Sequence, residues 1–471
     1  MDMKNMDLSQ GNIRKLVVQT AIPMVVAQFV SMLYNIVDRI FVGRIPAIGA
    51  VALGGIGIYL PINIIFMAVS LLFGGGGAPQ AAIALGAGDR KKAEKYLGCC
   101  FLPLIMSGLA FGLCLFLFGK QILPWFGATG ANLTYAVQYV KIICLGIPFS
   151  MVITGMNIFI NTQGKTLVGM ISVIIGAVIN IVLDAVFILI LDMGVAGAAW
   201  ATVAGQSVSA AWVIVYLISS HSMIRLRKCS LIPDKQTLGS IVTLGISNFI
   251  TTGAESLVNI ILNHSLRKYG AAALTGYAID GATLAISVGT IVTATSSFIR
   301  QPVNGFCQGL QPVISYNYGA GKQERVRQAI KCSIFITTAY AAVLWLFLMA
   351  VPGSFSRMFT ERGEVIAVSR NLIRIYVFGM LFSGVQSTLI QSFIARGMKK
   401  QSLLVSAFSK CLYIPFLLIL PILVKPVYRL LAIYGAQAIT DVIGVLFIVI
   451  LYRREQKKER YLRDHICIKG T

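Results

Sequence analysis

The chain has 471 residues, 57% hydrophobic and 12% charged, with 40 Lys and Arg against 17 Asp and Glu for a formal net charge of +23. Soluble domains carry about 25% charged residues, so this composition, with a mean hydropathy of +0.80, excludes a water-soluble globule. Apolar stretches repeat along the whole length, which predicts a polytopic membrane protein rather than an anchored enzyme.

Twelve spans are expected, at 16–43, 47–85, 93–118, 133–160, 166–190, 196–219, 238–266, 281–318, 326–352, 365–393, 402–424 and 429–452. The first is too long for a signal-peptide core and has no small-residue cleavage site behind it. The second and eighth exceed the roughly 20 residues that cross a bilayer, and Pro79, Pro302 and Pro312 supply kink points within them. The fold class is therefore all-α, with twelve transmembrane helices in two six-helix lobes. The expected division is 1–221 for the N-lobe, 222–237 for a cytoplasmic linker, 238–452 for the C-lobe and 453–471 for a basic cytoplasmic tail.

Lys and Arg cluster between the spans: Lys4, Arg14 and Lys15, then 90–95, Lys165, 225–235, 322–331, 396–400 and the tail from Arg453. The alternate loops carry few. This positive-inside pattern puts both termini in the cytoplasm, with the protein multi-pass in the inner membrane, and predicts contact with anionic lipid headgroups. It also accounts for the net charge without nucleic acid.

The two halves repeat. GAPQAAIALGAGDRKKAEK (77–95) aligns with GLQPVISYNYGAGKQERVRQ (309–328), placing Pro79 on Pro312 and Gly86-Ala87-Gly88 on Gly319-Ala320-Gly321 at a shift of 233 residues. Gly164 of NTQGK falls on Gly397 of ARGMK at the same shift. TAIPMV (20–25) resembles LGISNF (244–249), and Asn35 matches Asn259 at a shift of 224, so the second copy is expected to gain residues in the external loop around 270–280. An even number of spans separates the copies, giving the parallel-repeat design of many secondary transporters. No nucleotide-driven motor is visible: GKT at 164–166 lacks the earlier glycine of a phosphate loop, Phe159 standing there instead. Nine cysteines form no CxxC pair and read as core residues or free thiols.

Acids within spans are few, and such residues usually face a bundle interior or an aqueous cavity. Asp38 lies in span 1, with Asn35 one turn before it. Asn180 and Asp184 share one face of span 5. Thr202 in span 6 adds a hydroxyl and Tyr139 in span 4 a phenol. Two carboxylates close together in low dielectric do not both ionise cheaply, and the added amide and hydroxyl oxygens also suit a hard cation such as sodium. The set thus fits a proton or a sodium ion. Asp38 paired with Arg39 or Arg44, and Asp184 as a helix-end residue near Asp192, are the structural alternatives. Glu255 in span 7 suits a second cation site, a cationic substrate or a structural hydrogen bond, and Arg300 is a candidate to neutralise it. Asp441 in span 12 has Gln437 and Thr440 as neighbours for a structural network.

These residues resemble the multidrug and toxic compound extrusion (MATE) family over nearly the full length. The resemblance is carried by the TAIPM and GISNF helix starts, VDRIFVG, the paired P-x(6)-G-A-G motifs, and NTQGK followed by NIVLDAVFILILDMGVAGAAWATVAGQ. It implies two six-helix lobes around a central cavity and export by alternating access. The N-lobe cation site implied is Asp38, Asn180 and Asp184 with Tyr139 and Thr202, as in the DinF-like bacterial branch. Glu255 matches the span 7 acid of the NorM-like branch, whose span 10 acid is missing from FSGVQST (382–388). Pro23 matches the proline at which span 1 bends in some members. The expected function is a secondary active antiporter exporting lipophilic, often cationic compounds against protons or sodium, as a monomer, without cofactor and without enzymatic activity. A lipid or lipid-linked oligosaccharide flippase is the alternative, to which Arg300, Arg370, Arg374 and Lys410 would contribute a basic cavity.

Overall fold

Backbone that crosses lipid must satisfy every N–H and C=O internally, which leaves helices or closed barrels. The computed structural model describes residues 8–43, 45, 49–126, 128, 130–274, 281–360 and 362–468, and these are helical nearly throughout. In chain order the helices are α1 (Ile13–Gly43), α2 (Gly49–Gly86), α3 (Arg90–Ile122), α4 (Gly130–Ile143), α5 (Ile147–Thr162), α6 (Thr166–Asp184), α7 (Gly194–Ile218), α8 (Lys235–Ala273), α9 (Gly281–Gly319), α10 (Gln323–Ala350), α11 (Pro352–Arg357), α12 (Gly363–Phe378), α13 (Ser383–Ala395), α14 (Lys399–Leu423) and α15 (Arg429–Ile468). Ten helical segments are long and apolar enough to span a membrane, and α4 with α5 makes an eleventh. The helix α9, 39 residues long, falls where the eighth span is expected. Its hydroxyls fold back onto its own carbonyls, Thr290 to Ile286 O (3.1 Å), Thr293 to Gly289 O (2.8 Å) and Thr295 to Ile291 O (2.8 Å), so a more polar sequence still runs as helix.

Three expected elements are refined. Span 4 is not one rod: α4 and α5 meet at a 61° bend. The last turn of α4 tightens, Leu145 N and Gly146 N donating to Ile142 O (3.1 Å) and Ile143 O (2.8 Å), and Pro148 opens α5, where its missing N–H costs nothing. Span 10 is interrupted by a 3-10 turn over Gly379–Phe382 between α12 and α13. Span 12 does not stop at 452, because α15 continues helically through the basic tail to Ile468. The helices α2 and α9 run unbroken past Pro79, Pro302 and Pro312. Of the loop where the second copy is expected to gain residues, 275–280 lie outside the described residues.

The chain forms two compact units. The first is Met1–Ser256 with Gln308–Ala329 and Ile394–Gly397; the second is Leu257–Cys307, Ile330–Phe393 and Met398–Thr471.

In the first unit the repeat is visible in backbone geometry. Gly88, Gly321, Gly164 and Gly397 all have positive φ (83°, 72°, 77° and 68°). Each follows a helix end, where a left-handed residue lets the next N–H reach back to an orphan carbonyl. Asp89 N donates to Ala84 O (2.9 Å) and Lys322 N to Asn317 O (2.9 Å), the same bond in both copies. Glycine also sets how closely the helices approach. A Cβ on Gly86 would strike Tyr316 O, and one on Gly319 would strike Ile83 O. Residues 83 and 316, and 86 and 319, are equivalent at the 233 shift, so the contact is reciprocal. Gly76 packs on Gly245 and Gly309 on Ala21; these too are repeat mates, at shifts of 233 and 224. Both sequence shifts therefore describe one pseudo-symmetric packing of α1 and α2 with α8 and α9.

The start of the chain is strapped across these ends. Leu8 is buried against Gly164. Leu8 O accepts from Asn317 Nδ2 (2.9 Å), Ser9 O from Lys322 Nζ (2.8 Å), Gln10 O from Arg325 Nη2 (3.0 Å) and Gly11 O from Arg325 Nη1 (2.8 Å). The polar segment after α7 is docked as well. Buried Gln163 Oε1 accepts from Met223 N (2.6 Å) and Ser222 Oγ (3.1 Å), and buried Glu94 pairs with Arg227 (3.0 Å) and Arg90 (3.3 Å). Asp234 opens α8, accepting from Thr237 Oγ1 (2.7 Å), Thr237 N (3.1 Å) and Lys95 Nζ (3.1 Å); these bonds hold its carboxyl below the usual carboxylate range.

The second unit packs around aromatic pairs, Tyr376–Tyr434 (5.5 Å) and Phe298–Phe355 (5.2 Å), both edge-on. Its polar centre is an ion pair of Arg300 with buried Asp441 (3.2 Å), whose other oxygen accepts from Gln437 Nε2 (2.6 Å).

Candidate functional site

The first unit gathers side chains from α1, α4, α6 and α7. Two glycines permit it. A Cβ on Gly205 would lie 2.7 Å from Gly176 O and 3.2 Å from Asn180 Cβ, so α7 and α6 touch backbone to backbone, as small residues allow in membranes. Ser209 Oγ adds a bond to Ser172 O (2.8 Å). At this seam Thr202 faces Asn180. Turned with its nitrogen toward the acid, the Asn180 amide donates to Asp184 Oδ2 (3.0 Å), while its oxygen accepts from Thr202 Oγ1 (3.3 Å) and Thr202 N (3.2 Å). The opposite orientation would set the amide oxygen against a carboxylate. Asp184 is fully buried and Asn180 nearly so. Directly after Asp184 the helix widens into a π turn over Ala185–Ile190, a distortion found often at functional sites.

From α1, Asp38 is brought beside Asp184. Tyr34, one turn earlier on the same face, and buried Tyr139 of α4 belong to the same cluster as Thr202. Tyr139 is held edge-on by Tyr59 (5.7 Å). Asp38 Oδ1 and Asp184 Oδ1 are both buried without a hydrogen-bond partner. Buried polar atoms are nearly always satisfied, and here one cluster holds two carboxyl oxygens without a partner.

All five residues expected at the N-lobe site, Asp38, Tyr139, Asn180, Asp184 and Thr202, thus meet. Asp38 makes no salt bridge with Arg39, which is exposed; Arg44 lies outside the described residues. Tyr34 was not among the expected residues, although its i,i+4 spacing to Asp38 repeats that of Asn180 to Asp184. Its neighbour Asn35 points elsewhere, donating to Ser31 O (2.6 Å). Glu255 stands on the exposed face of α8, outside the four helices that build the cluster. Pro23 is buried within α1, which continues through it. Arg300 pairs with Asp441 of its own unit. Among the described residues no group of three or more His, Cys, Asp or Glu is arranged to hold a metal ion.

The MatE family model matches residues 23–186 and 248–419, well over half of the chain. The chain belongs to the MatE family. The first matched stretch of MatE ends just past Asp184 and the second begins in α8, one in each half of the repeat. Among MatE relatives, "Multidrug export protein MepA" of Staphylococcus aureus (strain MSSA476) is 24% identical over 444 residues, covering 93% of this chain and 94% of that protein. The structure described as "Crystal structure of MATE in the bent conformation" superposes with a TM-score of 0.87 at 19% identity, covering 98% of this chain and 99% of the other. "Outward-facing conformation of a multidrug resistance MATE family transporter of the MOP superfamily" gives 0.86, also at 19%, over 95% and 97%. These similarities show that the chain has the two-lobe MATE fold.

Proposed function

We propose that this protein is a secondary active multidrug efflux antiporter that exchanges protons or sodium for lipophilic, often cationic compounds. The observation that carries the reading is the Asp38–Asp184 pair, with one open buried oxygen on each acid. Similarity to proteins named as multidrug exporters supports the direction and breadth of transport.

In this reading the two acids share one proton, which supplies the donor that both open oxygens lack. A sodium ion would use the same carboxylates with the Asn180 and Thr202 oxygens, since hard cations take oxygen ligands. Loading the site removes negative charge from it, so a cationic substrate loses affinity and leaves. Releasing the ion on the other side restores the charge and the affinity. Coupling then needs only a differential affinity between the two states. Thr202 holds the Asn180 amide that faces Asp184, and Tyr34 and Tyr139 line the same cluster. Glu255, accessible on α8, is assigned to a second cation or substrate contact, and Pro23 to bending of α1. The lobes are 1–221 and 238–452, joined by 222–237. The Lys- and Arg-rich loops face the cytoplasm together with both termini, the protein lying in the inner membrane as a monomer. The flippase alternative relies on a basic cavity, and the pairing of Arg300 with Asp441 weighs against it.

Resistance of cells to an ethidium-like dye tests the reading. Expression of the wild-type chain is expected to raise it, and Asp184→Asn to abolish the gain at equal protein level. Unchanged resistance in that variant would refute the proposal.

A further inference from the structure

Away from the acid pair, α3 and α4 line a partly open cavity of about 180 Å³. At about 30 Å³ per water this is room for roughly six waters, enough for a phosphate with part of its glycerol. Lys120 and Gln121 of α3 and Lys141 of α4 line it, with Phe116, Leu117 and Val137 completing the wall. The helices close beneath it, where a Cβ on Gly119 would sit 3.8 Å from Val140 Cγ1. Among the described residues neither lysine has an acidic partner.

Depth identifies the occupant. The helix α3 leaves the basic cluster at 90–95, and from Lys95 to Lys120 it runs about 37 Å at 1.5 Å per residue. The hydrocarbon core is about 30 Å thick. Lys120 therefore stands at the headgroup level opposite the basic end. Trp125, 83% exposed, follows just beyond, where interfacial tryptophans gather. Below the lysines α3 presents exposed Leu113, Phe116, Leu117 and Phe118, a surface for acyl chains. Two lysines on this side run against the charge bias of the rest of the chain, and a free anion would have no use for the apolar wall.

We propose that this cavity binds the headgroup of an anionic glycerophospholipid, Lys120 and Lys141 pairing with its phosphate while its chains lie along α3. The site is independent of which compound the protein exports.

The test uses the full chain with Trp125 as its sole tryptophan (Trp200→Phe, Trp212→Phe, Trp345→Phe), in bilayers containing brominated phosphatidylglycerol or brominated phosphatidylcholine at equal mole fraction. Quenching of Trp125 is expected to favour phosphatidylglycerol about thirtyfold, the scale of two surface lysines acting on one anionic headgroup. Lys120→Gln/Lys141→Gln should erase the preference and Lys120→Arg/Lys141→Arg should keep it. Equal quenching by the two lipids, a preference that survives the Gln pair, or its loss on adding inorganic phosphate would each overturn the proposal.

Discussion

At the level of single residues, the acid pair makes the sharpest demand. Asp38→Asn and Asp184→Asn each remove one carboxylate while preserving shape, so both are expected to fold and to lose gradient-driven transport by at least about tenfold, a change of roughly 1.4 kcal/mol. Thr202→Ala and Tyr34→Phe remove only hydroxyls and should cost less; initial-rate dye transport at matched protein levels ranks the four. The Arg300–Asp441 pair makes a different prediction. Removing one partner of a buried pair strands the other, whereas replacing both with apolar residues is often neutral. Asp441→Leu alone should lower the unfolding free energy in detergent by about 1–3 kcal/mol, given the partial exposure of Arg300. The double change Arg300→Met/Asp441→Leu should recover most of that loss. Much of this residue-scale picture was legible in sequence, because Asn180 and Asp184 share a helix face by spacing alone. Tyr34 was not, since the polar side chain beside it drew the reading one position round the helix. For Asp441 the neighbour Gln437 was legible and does bond it, but its ionic partner was not, because Arg300 lies 141 residues away and no local pattern joins them.

At the level of elements, the apolar runs found the spans but not their breaks. Hydropathy is continuous across 133–160, and the bend between α4 and α5 comes from backbone chemistry, a glycine followed by a proline at 146 and 148. The helical continuation of the tail was hidden for the opposite reason: α15 turns basic after residue 452 without any helix-breaking residue. The glycine contacts make a prediction at this scale. Gly86→Val and Gly319→Val each place side-chain atoms on the carbonyl of the facing helix, and overpacking of that kind costs about 1–3 kcal/mol. Hydrogen exchange at the ends of α2 and α9 should rise in both variants, and by similar amounts, since the two contacts are repeat mates. A large effect from one and none from the other would show the reciprocity to be without energetic meaning.

The whole molecule is a duplicated design. The shift that carries Asn35 to Asn259 carries Asp38 to Leu262, which is buried among apolar neighbours, so the acid pair lies in one copy and the architecture is common to both. The strap of residues 8–11 gathers the turn at Gly164 and the start of α10 in one place. Asn317→Ala/Arg325→Ala, which removes most of its bonds, is expected to expose Leu8→Cys to thiol labelling without loss of expression. Above the strap and the seams, the proposed transport depends on coupling through the acid pair. Its most direct test is dye transport by purified protein in sealed vesicles, with pH and sodium gradients imposed separately. Concentrative transport is expected under at least one of these gradients, abolished by Asp38→Asn and by Asp184→Asn. Transport at the wild-type rate in both variants under the same gradient would contradict it.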